Sequence, residues 1–140
     1  MAKIVVIGAG IGGLPAAYDL QKQLGKQHQV VVVSPVDYFQ FTPSNPWVAV
    51  GWRAAKEVIV NITAPLKKKG IELIAQAVVH IDADNHAITL MDDTVVNYDY
   101  LVIATGPKLA FDEVPGLGPN NGFTQSICTT AHAQKAWDAY

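Results

Sequence analysis

The chain has 140 residues, a formal net charge of −2, and is 50% hydrophobic and 16% charged, which fits one packed domain and excludes a disordered tail. The near-neutral balance, with no Lys/Arg stripe, argues against nucleic acid as a partner, and a single cysteine, Cys128, leaves no internal disulfide to form. No apolar run approaches the roughly 20 residues of a membrane span, and the apolar start at Ile4 to Ile7 is cut short by glycines, so neither a transmembrane segment nor a signal peptide is expected.

Lys3 to Ile7 is a β-branched run, as in a central parallel strand buried on both faces. Gly8 to Gly13 is a glycine-rich turn, and Leu14 to Leu24 follows with helical spacing of Leu14, Ala17, Tyr18, Leu20 and Leu24. Pro15 is tolerated there because a first-turn N–H has no intrahelical partner, and Gly25 is a helix stop. Gln29 to Val33 predicts a second buried strand, completing a βαβ unit. Ser34 to Arg53, rich in proline and aromatic residues and lacking periodicity, predicts a long functional loop. Lys56 to Lys69 reads as partly helical, with Pro65 in conflict, and Lys67, Lys68 and Lys69 as its solvated end before Gly70. Ile71 to Ile81 predicts one strand. Ala87 to Met91 and Thr94 to Tyr98 predict a hairpin across Asp92 and Asp93, and Tyr100 to Ala104 another buried strand. Leu109 to Gly122 is loop-rich, and Ala131 to Tyr140 predicts a helix capped by Thr129 or Thr130.

The chemistry is concentrated in Gly8-Ala9-Gly10-Ile11-Gly12-Gly13. In this G-x-G-x-x-G pattern, between a strand and a helix, Gly8 permits the tight turn. Gly10 admits a pyrophosphate to the backbone, and Gly13 lets helix and strand pack closely. The helix start then offers unpaired N–H groups to phosphate. The acidic residue that usually closes the second strand on a ribose is absent. Ser34 stands in its place, either as a ribose ligand or as an ordinary turn residue, with Asp37 as the nearby alternative. His28, His80, His86 and His132 show no metal spacing, so no metal site is expected.

Tyr98-Asp99-Tyr100-Leu101-Val102-Ile103-Ala104-Thr105-Gly106 resembles the strand-end signature of the pyridine nucleotide-disulfide oxidoreductase flavoproteins. Asp37 to Trp47, Gly51-Trp52-Arg53, Gly106-Pro107-Lys108-Leu109 and Ser126-Ile127-Cys128-Thr129 resemble, more narrowly, the sulfide:quinone oxidoreductase family. The resemblance implies an α/β fold: a Rossmann-like FAD-binding domain over residues 1–140, with a parallel sheet and an inserted antiparallel β-hairpin. It implies FAD as the cofactor, its ADP half on Gly8, Ala9, Gly10, Gly12 and Gly13, its adenine near the backbone of Ala77 and Val78, and its ring system beside Thr42 and Pro43. Thr105 and Gly106 should flank it. Cys128 matches an additional cysteine of that family placed to assist sulfur transfer, the alternative being a small buried residue.

The implied reaction is oxidation of sulfide to sulfur or polysulfide, with electrons passed through FAD to a quinone. Flavocytochrome c sulfide dehydrogenase, type II NADH dehydrogenase and a catalytically silent nucleotide-binding or interaction module are the alternatives. Members of the family are longer, with a second dinucleotide-type domain, the bridge cysteines and a carboxy-terminal segment seated on the membrane. The expectation is therefore an incomplete domain, the amino-terminal portion of a longer flavoprotein, inactive alone. Its setting is the cytoplasm or the membrane periphery, and it self-associates through uncovered apolar surface at Val30 to Val33, Leu101 to Ile103, Phe39, Phe41, Trp47 and Trp52.

Overall fold

A computed structural model describes residues Met1–Tyr140. In chain order its elements are β1 (Lys3–Ile7), α1 (Gly13–Leu24), β2 (Gln29–Ser34), β3 (Tyr38–Gln40), α2 (Asn45–Ala49), β4 (Ile59–Asn61) and α3 (Thr63–Lys68). β5 (Glu72–Ala75), β6 (Val78–Asp82), β7 (Ala87–Leu90), β8 (Val95–Asn97), β9 (Tyr100–Ile103) and α4 (Thr130–Asp138) follow. The chain forms two compact units. The first holds Met1–Phe39 and Asn61–Gly106, the second Gln40–Val60 and Pro107–Tyr140.

The first unit is built on a parallel sheet in the order β5-β2-β1-β9. β1 and β2 run in register from Lys3 opposite Gln29 to Ile7 opposite Val33. Both are central, which is why they are continuous β-branched runs and not alternating ones. Each face is covered by a different layer. Val6, Val30 and Val32 pack against Leu14 and Ala17 of α1 and Ile62 and Leu66 beside or within α3. Val5, Ile7, Val31 and Val33 pack against Ile88, Leu90 and Val96 of an antiparallel sheet ordered β6-β7-β8. The expected hairpin is thus two strands of a three-stranded meander, turning where Asp93 takes φ +64°. Val30 to Val33 are completely buried, so they are not the exposed apolar surface expected from the sequence.

Three other expectations change. The region Ile71 to Ile81 is two strands, not one: β2 ends at Ser34, so β5 runs out of partner at Ala75, and β6 joins the other sheet. Lys56 to Lys69 contains β4 as well as α3. Pro65 lies in the first turn of α3, where its missing N–H costs nothing, so the conflict disappears. The lysines do end α3, and Gly70 follows at φ +76°. The stretch from Ser34 to Arg53 is not a bare loop, because it carries β3 and α2.

The second unit has a smaller core of Val48, Val58 and Ala133, flanked by Ala49 and Ala55. Thr129 caps α4 by accepting from the His132 N–H at 3.1 Å. Gly51, at φ +73°, is required there, since a Cβ would come within 2.5 Å of the Trp137 ring. The Arg53 guanidinium lies 4.2 Å above the Trp47 ring, a cation–π contact.

Candidate functional site

The order of the parallel sheet creates a crevice. From β1 the chain moves outward through β2 to β5, then returns to place β9 on the other side of β1. Ligands of such sheets sit beyond the carboxyl ends of the strands at this reversal. The Gly8–Gly13 loop leaves β1 there, and Thr105 and Gly106 leave β9 beside it. The Ala104 N–H donates to Ile7 C=O at 2.8 Å, locking the two strand ends together.

The glycines divide by role. A Cβ at Gly8 would collide with the backbone of Ala104, and one at Gly13 with the Gly8 carbonyl. These two are glycine because backbone meets backbone. Gly10 differs, since a Cβ there would meet nothing within 4 Å. The open space lies on the exposed side of the loop, where a pyrophosphate belongs. The N–H groups of Ala9, Gly10, Ile11 and Gly12 have no acceptor within the chain. The start of α1 has no side-chain cap and no acidic residue in its first turn. A twelve-residue helix thus presents about half an elementary charge and a fan of free donors to this space. The residues present fit the diphosphate of a dinucleotide such as FAD.

The remaining expected ligands of this unit lie along the same sheet edge. Ser34 ends β2 and is 2% exposed, its Oγ accepting from the Val36 N–H at 3.3 Å. That bond is the turn role allowed for it, and the hydroxyl proton stays available. Asp37 is exposed and accepts from Asn61 Nδ2 at 2.9 Å. Ala77 lies between β5 and β6 and Val78 opens β6, with the Ala77 carbonyl accepting from the Met91 N–H at 2.9 Å. Gly106 takes φ +74° with open space at its Cβ position.

Thr42, Pro43 and Cys128 belong to the second unit. Thr42 and Pro43 form an exposed 3-10 turn leading into α2. Cys128 is also exposed, so it is not the small buried residue weighed as its alternative. Its N–H donates to Ser126 Oγ at 3.2 Å, and the same Oγ lies 3.2 Å from His132 Nδ1.

The turn and the cysteine segment are joined by a residue that sequence reasoning passed over. Asn45, 0% exposed, donates from Nδ2 to the Ile127 carbonyl at 2.9 Å and accepts at Oδ1 from Thr130 Oγ1 at 3.1 Å. One buried amide therefore clamps residues on both sides of Cys128 to the turn that carries Thr42 and Pro43. No group of three or more His, Cys, Asp and Glu is arranged to hold a metal.

A parallel sheet with its glycine loop at the reversal defines a dinucleotide-binding protein of the Rossmann-like class. Residues 2–137 match the pyridine nucleotide-disulphide oxidoreductase family, and the chain belongs to it. The family consists of FAD-binding flavoprotein oxidoreductases. Among curated relatives, the chain is 41% identical over 134 residues to the sulfide-quinone reductase of Aquifex aeolicus, covering 95% of this chain and 30% of that protein. It is 30% identical over 126 residues to the mitochondrial sulfide:quinone oxidoreductase of Dictyostelium discoideum, covering 87% of this chain and 27% of that protein. The X-ray structure of the Aquifex aeolicus sulfide:quinone oxidoreductase superposes with a TM-score of 0.89 at 37% identity, covering 99% of this chain and 31% of that one. The chain thus spans about 30% of the length of these relatives.

Proposed function

We propose that residues 1–140 form the FAD-binding domain of a sulfide:quinone oxidoreductase. The observation that carries the cofactor assignment is the run of free N–H groups from Ala9 to Gly12 around the open position at Gly10. The 41% identity to a sulfide-quinone reductase supports the substrate assignment. In this reading the glycine loop holds the diphosphate, Ser34 meets the ribose, and Ala77 and Val78 meet the adenine. Thr105 and Gly106 flank the cofactor, Thr42 and Pro43 face its ring system, and Cys128 assists sulfur transfer. The overall reaction takes hydrosulfide, one proton and a quinone to zero-valent sulfur and a quinol. FAD, when bound, would supply the two-electron relay between them. The sulfur chain grows by repetition, each added sulfur releasing two further electrons to quinone. A lone thiol cannot cycle as an internal disulfide, so these 140 residues by themselves are not expected to turn over sulfide. Membrane contact and self-association belong to the same proposal.

The test is flavin content and its response to sulfide. The purified chain should bind FAD with visible flavin absorbance. Gly10→Val should weaken FAD by at least about tenfold while leaving the circular dichroism unchanged, because its side chain occupies only the ligand's space. Undiminished binding by Gly10→Val would overturn the loop assignment. Sulfide-dependent quinone reduction by the pure 140-residue chain, persisting in Cys128→Ser, would overturn the role given to the thiol. A flavin that binds but never bleaches with sulfide, in a longer protein bearing these residues, would favour the silent-module reading.

A further inference from the structure

At the opposite end of the parallel sheet, lysines far apart in sequence converge. Lys22 and Lys26, in the last turn of α1 and just beyond it, share a cleft of about 910 Å³ with Lys67, Lys68 and Lys69 at the end of α3. These are five of the chain's ten Lys and Arg residues. Asp19 is the one acidic side chain on the cleft lining. A chain with net charge −2 thus carries a cleft with a formal excess of positive charge, and no ion pair neutralises any of the five lysines.

The simplest account of such lysines is that they complement helix carboxyl ends. It falls short on magnitude. Two helix ends supply about −0.5 charge each, offsetting roughly one lysine. The remainder repel one another in the absence of a ligand. All five are lysines, compact ammonium groups on flexible stems, and not arginines with a planar fork. They suit an anion carrying several charges at adjustable spacing, not one bidentate carboxylate.

We propose that this cleft is a second anion site, distinct from the glycine loop, that takes a phosphate-rich group bearing at least two phosphates. A soluble polyphosphate and clustered phospholipid headgroups share that chemistry, and the experiment distinguishes them. Tripolyphosphate binding to the full chain is measured by calorimetry at low and at moderate salt. In parallel, the chain is sedimented with vesicles of phosphatidylcholine alone or mixed with phosphatidylglycerol. Three chains are compared with the parent: Lys67→Gln/Lys68→Gln/Lys69→Gln, the charge-matched Lys56→Gln/Lys108→Gln/Lys135→Gln from the second unit, and Gly10→Val. The cleft triple should lose at least about tenfold in affinity, in line with the salt sensitivity of multivalent anion contacts. The charge-matched triple should change it by less than about twofold, and Gly10→Val, which closes the glycine loop to phosphate, should keep the share of the binding that the cleft triple loses. Tripolyphosphate binding without vesicle binding assigns a soluble ligand, and vesicle binding that needs phosphatidylglycerol assigns a lipid headgroup. Equal loss in the two triples, loss of all binding in Gly10→Val, or no binding of either probe overturns the proposal. Because Gly10→Val keeps this site and loses FAD, failure here is distinguishable from failure of the flavin reading.

Discussion

At the scale of single residues, Asn45 carries the sharpest consequence. Its amide is fully buried and satisfied at both ends by groups 82 and 85 residues away in the chain. Truncation removes the partner of the buried Thr130 hydroxyl and of the part-buried Ile127 carbonyl, and a buried group left unsatisfied costs about 1–3 kcal/mol. Asn45→Ala should therefore destabilise the second unit by about 2–4 kcal/mol in denaturant titration. Thr130→Val, which frees only one end, should cost about half as much. A loss below about 0.5 kcal/mol for Asn45→Ala would mean the clamp is dispensable. Nothing local in the sequence marks this residue, which reads there as one polar position in a proline-rich loop. The glycines are the opposite case. Gly8, Gly10 and Gly13 were legible because their spacing encodes backbone geometry within six residues. The structure adds what each packs against: the Ala104 backbone at Gly8, the Gly8 carbonyl at Gly13, and open space at Gly10.

At the scale of elements, legibility followed regularity. β1, α1 and β2 stood out because both strands are buried on two faces and the helix has one apolar stripe. β5 and β6 merged into one expected strand because hydrophobicity does not register a change of partner. The connection between β6 and β7 shows how local polar chemistry holds such a turn. Asp82 accepts from the Asn85 N–H at 3.0 Å and from Asn85 Nδ2 at 2.7 Å, while His86 takes φ +52°. The Asn85 side chain first, then its N–H, holds the Asp82 carboxyl below its ordinary 3.8. The folded value lies below the unfolded one, so the unfolded chain binds more protons between them. The turn's contribution is therefore present above pH 3.8 and lost as pH falls through the folded value. Carboxyl NMR titration should give Asp82 a midpoint below 3.8, and Asn85→Ala should return it towards that value. An unchanged midpoint in Asn85→Ala would remove the asparagine as the cause.

At the scale of the whole molecule, the question is what the exposed apolar surface does. β9 pairs with β1 on one side and with no strand on the other. Tyr100 and Ile103 on it are 65% and 61% exposed. The second unit exposes Trp52 at 78% and Phe41 at 48%. A free edge offers a row of backbone donors and acceptors to another chain, and β9 lacks the lysines and prolines with which edges are commonly blunted. Burying about 300 Å² of apolar surface across such a contact contributes about 7 kcal/mol before the entropy of association is subtracted. That is comparable with the whole stability of a small domain. The 140-residue chain should therefore sediment as a dimer or larger species at micromolar concentration. Ile103→Lys, which puts a charge on the edge without touching the buried faces of β1 and β2, should shift it towards monomer with little loss of thermal stability. Trp52→Ser separates the other cause: if the aromatic surface drives association, this variant becomes monomeric and Ile103→Lys does not. A parent chain that stays monomeric at high micromolar concentration and unfolds cooperatively would show that neither the open edge nor the aromatic surface is sticky. The sheet would then be stable with β9 as a terminal strand.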